Sequence, residues 1–85
     1  MSKVELYTKD YCPYCHRAKA LLDKKSVSYT EFRVDLHPQL REEMISRANG
    51  GSTVPQIFIN EKHIGGCDDM YELESKDQLD ALLIA

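Results

Sequence analysis

Apolar and polar residues along the chain alternate with two different periods, and each change of period marks a change of element. Val4 and Leu6 fall on one face of a strand over residues 3–7. From residue 13 the spacing lengthens. Cys15, Ala18, Leu21 and Leu22 form the stripe of a helix over 13–25, with His16, Arg17, Lys19, Asp23 and Lys24 on its solvent side. Alternation returns over 29–34, where Thr30, Phe32 and Val34 share a face of a second strand. Behind Pro38, the residues Leu40, Met44, Ile45 and Ala48 repeat at helical spacing until Asn49-Gly50-Gly51 stops them. A third strand is predicted over 53–59, with Pro55 at its entrance, where no ladder donor is lost. Asn60-Glu61 then turns the chain into a short hairpin strand, Lys62-His63-Ile64. After Gly65-Gly66, Cys67 opens a helix carrying Met70, Tyr71 and Leu73. Ser75-Lys76-Asp77-Gln78 reads as a capping box for a last helix that buries Leu79, Leu82 and Leu83. The order is β-α-β-α-β-β-α with a final helix. A strand, a crossover helix and a strand imply a parallel pair with a right-handed connection. The class is α/β.

The candidate chemistry sits at the first strand-to-helix junction, in Cys12-Pro13-Tyr14-Cys15. Proline suits the first helical position, because its missing N–H would find no intrahelical partner there. The free N–H groups and the dipole of a helix start favour a thiolate, so Cys12 should be acidic and nucleophilic at an exposed helix start. Cys15, one turn further and partly buried, can reach Cys12 but is poorly placed to meet a substrate. The pair thus reads as one attacking and one resolving thiol. Half of a zinc site and inert core packing are the other readings of this spacing. Zinc usually needs a second ligand pair, and the chain has one further cysteine, Cys67. Lys9, close to the thiols, is either a solvated loop lysine or a cation for an acidic substrate. His16 belongs to the solvent face.

Length and charge narrow the class. Eighty-five residues make one domain, 1–85, and 42% hydrophobic with 29% charged residues is an ordered composition. A formal net charge of -3 argues against a nucleic-acid surface. No apolar run approaches the roughly 20 residues that span a bilayer, and the N-terminus shows no signal-peptide core, so a cytoplasmic location and no membrane partner are expected. In a reducing compartment a lone Cys-x-x-Cys disulfide is catalytic more often than structural.

Three motifs in order, Cys12-Pro13-Tyr14-Cys15, Thr53-Val54-Pro55 and Gly65-Gly66-Cys67-Asp68, make the chain resemble the glutaredoxin family, and within it the short bacterial dithiol class. The likeness runs over nearly the whole chain. It implies a thioredoxin-like fold, a four-stranded mixed sheet flanked by helices. It also implies reduction of protein disulfides and protein–glutathione mixed disulfides, with glutathione as co-substrate and no tightly bound cofactor. By the same resemblance Pro55 is cis and presents the backbone of Val54 beside Cys12, where the cysteinyl part of glutathione pairs as an added strand. Thr53 stands at the start of that segment. Gly66 allows close approach, and the N–H groups of Cys67 and Asp68 hold the γ-glutamyl carboxylate at a helix start. The Asp68 carboxylate accepts from the γ-glutamyl ammonium, Lys9 faces the glycyl carboxylate, and Tyr14 walls the groove. Arg41 and Gln56 are weaker candidates for glutathione contact.

Cys67 departs from a two-thiol scheme and reads as a bystander, since some relatives have serine there. Disulfide-containing or glutathionylated proteins are the expected partners, ribonucleotide reductase among them, and a monomer is expected. Two other functions stay open on the residues. One is an iron–sulfur-cluster module held through Cys12 and glutathione, which Pro13 and the competing Cys15 disfavour. The other is a glutaredoxin-like electron donor fed by thioredoxin reductase, which would have no use for a γ-glutamyl site at 66–68.

Overall fold

The computed structural model describes residues 2–84. Its elements are β1 (Val4–Thr8), α1 (Pro13–Lys24), β2 (Thr30–Arg33), α2 (Pro38–Arg47), β3 (Gln56–Ile59), β4 (Lys62–Gly65), α3 (Cys67–Ser75) and α4 (Leu79–Ile84). The strands form one sheet in the order β2-β1-β3-β4. β1 and β2 are parallel, while β1–β3 and β3–β4 are antiparallel. This is the mixed four-stranded sheet that the motifs imply.

Helices cover both faces, and the two cores are unequal. Val4, Leu6, Ile57 and Ile59 pack with Ala18, Leu21 and Leu22 of α1, Met70 of α3, and Leu79 and Leu83 of α4. On the other face Tyr7 and Phe58 pack with Met44 and Ala48 of the α2 region. Every residue of β1 is therefore buried, where the alternation pattern assigned only Val4 and Leu6 to a core. A strand in the middle of a sheet covered on both faces has no solvent side.

Burial of β1 takes Glu5 with it, and α2 supplies the partner. Arg47 Nη2 donates to Glu5 Oε1 at 2.9 Å, and Arg47 Nη1 donates to the Tyr7 hydroxyl at 2.9 Å. The Tyr7 hydroxyl donates in turn to Glu43. The guanidinium lies 4.1 Å from the centroid of the Phe58 ring. Hydrogen bonding to Glu5, ahead of the bond to Tyr7, raises the pKa of the Arg47 guanidinium above its ordinary value, against the opposing effect of burial. So the α2 face is held by a charged residue whose stem and plane lie against aromatic rings.

Two boundaries differ from the sequence reading by more than a residue. The third strand begins at Gln56 rather than at residue 53. Pro55 carries no N–H for a ladder, and the 53–55 segment stays outside the sheet. Ser75 does not cap the last helix: it is the final residue of α3, and its hydroxyl donates back to the Glu72 carbonyl at 2.8 Å. The chain then reverses through Asp77, at φ 57°, before α4. The 60–61 turn is as expected, with φ of 52° at Asn60 and 70° at Glu61, the geometry of a two-residue hairpin loop.

The Glu5–Arg47 pair gives a stability prediction. The two side chains are 8% and 21% exposed. Removing one partner of a fully buried pair costs about 3–5 kcal/mol, so Arg47→Met in this partly open site should cost about 2 kcal/mol in urea denaturation. The double variant Glu5→Leu/Arg47→Met should recover most of that loss, because no charge is then left unpaired. An unchanged midpoint in the single variant would show that the pair contributes nothing.

Candidate active site

Cys12 is the N-cap of α1, with extended backbone at φ -114° and ψ 100°, and Pro13 is the first helical residue. The Cys15 N–H donates to Cys12 Sγ at 3.1 Å, so a sulfur occupies the place where a serine or aspartate oxygen usually caps a helix. No acidic residue stands in the first turn to oppose negative charge on that sulfur. Cys12 and Cys15 form a disulfide, with their Cα atoms 5.1 Å apart. Cys15 is 1% exposed, in line with a resolving role. Cys12 is only 5% exposed, against the expectation of an open helix start. The covering group is the 53–55 segment, whose Val54 carbonyl oxygen lies 3.9 Å from Cys12 Sγ. With that sulfur in a disulfide no proton lies between them, and the approach is a packing contact.

The Val54–Pro55 peptide bond is cis. The segment is braced from behind. Gln56 Nε2 donates to the Thr53 carbonyl at 3.0 Å, and His63 Nε2 lies 2.7 Å from Gln56 Oε1. With the amide NH2 committed to Thr53, the amide oxygen accepts and His63 Nε2 carries the proton. The His63 ring in turn lies against Phe58, centroids 5.0 Å apart. Gln56, a weak ligand candidate on sequence, is thus buried and engaged at both ends of its amide. His63 was not anticipated here. Its signal lay in the hairpin: a two-residue turn at 60–61 sets Phe58 opposite 63 in the observed register, one strand over from Gln56.

Two clefts meet along Thr53 and Val54. The larger, about 500 Å³, has Tyr14 and the 53–55 segment on one side and Gly66, Cys67 and Asp68 on the other. The second, about 350 Å³, is lined by Thr53, Val54, Lys9 and Arg41. The two depressions therefore bring together Tyr14, the 53–55 segment, Gln56 and the 66–68 segment, with Lys9 and Arg41 together at the far end, while Cys12 lies beside them against the Val54 carbonyl and Cys15 is buried beneath.

At the start of α3 the two neighbouring acids have different jobs. The Asp69 carboxylate accepts the Gly66 N–H at 2.8 Å and caps the helix. Asp68, exposed on the cleft, is left free of that duty, so a simple capping role does not account for it. Of the two glycines, Gly65 is the one the backbone demands. Its φ is 118°, and a Cβ there would collide with the Asp69 carboxylate. A Cβ on Gly66 would meet Pro55 O at an ordinary 3.5 Å.

Arg17 is exposed, as its place on the solvent side of the helix predicts, and it also makes contacts that the sequence does not signal. Its guanidinium lies 5.8 Å from the Tyr14 ring centroid and 5.2 Å from that of Tyr71, while the Tyr71 hydroxyl donates to the Arg17 carbonyl. It links α1 to α3 behind the larger cleft. No spacing in the sequence signals a contact between residues 54 positions apart. Cys67 is buried at 3% exposure. Burial pushes its thiol above the ordinary range, and the nearby Arg17 charge only partly offsets this. Among the described residues no three His, Cys, Asp or Glu side chains come together as a metal set.

Comparison with known proteins is consistent along the whole chain. The glutaredoxin family model matches residues 4–64. The chain is 59% identical over 83 residues to glutaredoxin 3 of Escherichia coli K12, covering 98% of this chain and 99% of that protein. It is 52% identical over 85 residues to a glutaredoxin of Pseudomonas aeruginosa, covering all of both. Among solved structures, the buckwheat glutaredoxin–glutathione complex superposes with a TM-score of 0.89 at 31% identity, over 98% of this chain and 77% of that one. The holo form of glutaredoxin C1 from Populus tremula x tremuloides gives 0.87 at 36%, over 96% and 76%.

The contrast between Cys12 and Cys67 is measurable. In reduced protein at neutral pH, iodoacetamide should label Cys12 first, with Cys67 modified at least tenfold more slowly, since the helix cap favours the Cys12 thiolate while desolvation disfavours that of Cys67. Peptide mapping against time reads the order. Equal rates would mean that burial does not protect Cys67.

Proposed function

The chain belongs to the glutaredoxin family, and from that premise we propose that Cys12 attacks, Cys15 resolves, and glutathione lies along the 53–55 segment across both clefts. The protein is a glutathione-dependent disulfide oxidoreductase with a thioredoxin-like fold. The Cys12 thiolate attacks the glutathione sulfur of a mixed disulfide. A new S–S bond forms to Cys12, the old one breaks, and the other thiol leaves with the electron pair and takes a proton. A second glutathione then attacks the Cys12–glutathione bond, giving oxidised glutathione and the free thiolate. With a protein disulfide, Cys12 attacks and Cys15 displaces the substrate thiol. The Cys12–Cys15 disulfide that results is the state of the pair in the structure, and two glutathiones reduce it.

The observation that carries the reading is the order of charges along the ridge at Val54. Glutathione has an ammonium and a carboxylate at one end, a thiol in the middle and a second carboxylate at the other end. The larger cleft ends in the α3 N–H groups with the Asp68 carboxylate, Cys12 lies at the middle, and Lys9 and Arg41 stand at the far end. The N–H groups of Cys67 and Asp68, at a helix start, suit the γ-glutamyl carboxylate, and Asp68 suits the ammonium. Val54 offers its N–H and C=O to the cysteinyl backbone, and Tyr14, Thr53, Pro55 and Gly66 shape the walls.

Glutathionylated and disulfide-bonded proteins are the substrates in this reading, ribonucleotide reductase one candidate among them. The cycle needs only glutathione as co-substrate and one copy of the chain. A dithiol cycling against glutathione suits the reducing cytoplasm.

Steady-state kinetics on three variants test the assignment. Cys12→Ser should turn over nothing. Cys15→Ser should keep turnover of a glutathione mixed disulfide and lose most reduction of a protein disulfide. Asp68→Ala should lose about 1 kcal/mol with glutathione substrates, a several-fold fall in kcat/KM for a solvent-open charge pair. It should leave the first attack on a protein disulfide unchanged. Full activity in Cys12→Ser, or an Asp68→Ala effect equal on both substrates, would contradict it.

A further inference from the structure

Among the described residues four large apolar side chains stand exposed: Tyr11 at 90%, Ile84 at 78%, Leu36 at 62% and Tyr14 at 53%. Tyr11 and Tyr14 flank Cys12 along the chain, and Leu36 lies on the loop tied to the one that carries Tyr11. Tyr14 lies in the first turn of α1 and lines the larger cleft. Tyr11 directly precedes Cys12, and Leu36 lies in the loop after β2. β1 and β2 run parallel, so the two loops leave the sheet at the same edge.

These loops are tied to each other. The Asp10 N–H donates to Asp35 Oδ2 at 3.2 Å, and Arg33 grips the same carboxylate from two nitrogens at 2.8 and 2.6 Å. The Tyr11 N–H donates to Asp10 Oδ1 at 3.0 Å. Tyr11 is held at φ 53°, in the left-handed region that aromatic residues seldom adopt. The backbone is thus fixed in an uncommon conformation, with the result that a tyrosine ring stands in solvent. Neither Tyr11 nor Leu36 lines a glutathione cleft. Arg33 and Asp35 neutralise each other, and Lys9 and Asp10 carry opposite formal charges, so the rim has no net charge to select a substrate by and its exposed apolar groups are Tyr11 and Leu36.

The reaction says what passes over this rim. Attack on a disulfide leaves three sulfurs in line, so the departing chain starts about 4 Å from Cys12 Sγ, two S–S bonds away. With glutathione filling the clefts, the residues flanking the departing cysteine must cross the remaining rim. We infer that Tyr11 and Leu36 form a docking ledge for the polypeptide part of the substrate, and select chains with an apolar side chain beside the reactive cysteine. The inference rests on the reading that glutathionylated polypeptides are substrates.

The test uses two glutathionylated peptides that differ only in leucine or serine after the cysteine, together with the glutathione–cysteine mixed disulfide. Wild-type protein should prefer the leucine peptide. Tyr11→Asn removes the ring but suits a positive φ, and should lower kcat/KM for the leucine peptide about three- to tenfold, the range for losing part of an apolar contact. Leu36→Ser should act in the same direction and Tyr11→Phe should behave as wild type, while the serine peptide and the small disulfide stay unchanged throughout. An undiminished leucine preference in Tyr11→Asn, or an equal slowing of all three substrates, would overturn the ledge. Wild-type protein that turned over the small disulfide but neither peptide would remove the underlying reading as well.

Discussion

The approach of the Val54 carbonyl to the Cys12 sulfur, 3.9 Å, joins the two halves of this chain at the point where the chemistry happens. It follows from the sheet. β1 and β3 are antiparallel neighbours with Tyr7 paired to Gln56, so the end of β1 and the beginning of β3 lie at one edge. The chain leaves β1 there to start α1 with Cys12, and arrives there through the 53–55 segment. A sulfur at a helix cap and a backbone free to pair with a peptide are thereby brought together by strand register alone. Neither would recognise a thiol-bearing peptide without the other.

Two braces keep that edge in place, and both lean on the Phe58 ring on the α2 face of the sheet. Gln56 and His63 hold the Thr53 carbonyl from behind the ridge. Arg47 holds Glu5 and the Tyr7 hydroxyl, fixing α2 on that face to the strand that carries α1. Each neutral hydrogen bond is worth on the order of 1 kcal/mol net, whereas each buried polar atom left without a partner costs more. The braces therefore act mainly by making alternative arrangements expensive. No buried side-chain nitrogen or oxygen among the described residues lacks a partner.

What could be read from sequence was whatever depends on neighbours in the chain. The stripe of Cys15, Ala18, Leu21 and Leu22 is buried as its spacing required, and the proline and the glycines fell at the boundaries their backbone constraints dictate. The three motifs, taken together, located the clefts. What could not be read depends on partners far away in sequence. The burial of Glu5 in β1 depends on Arg47, which comes from α2, 42 positions along the chain. Gln56 lines the larger cleft, but that His63 and Thr53 engage both ends of its amide was not legible. Arg17 is the surface charge its spacing predicted, but its contact with Tyr71 of α3 was not legible. The capping box at 75–78 failed for a local reason, because a serine in a last helical turn satisfies its hydroxyl on a carbonyl behind it as readily as it caps a helix ahead.

The central claim is that the Val54 backbone pairs with glutathione while Cys12 holds its sulfur. Amide hydrogen exchange tests this directly. Cys15→Ser protein, trapped with glutathione disulfide-bonded to Cys12, is compared with the same protein reduced and free of glutathione. The account predicts that exchange at the Val54 N–H slows by about tenfold or more in the trapped form, as a new hydrogen bond must open before exchange, while residues of α4 are unaffected. Unchanged exchange at Val54 in protein shown by mass to carry one glutathione would contradict the account.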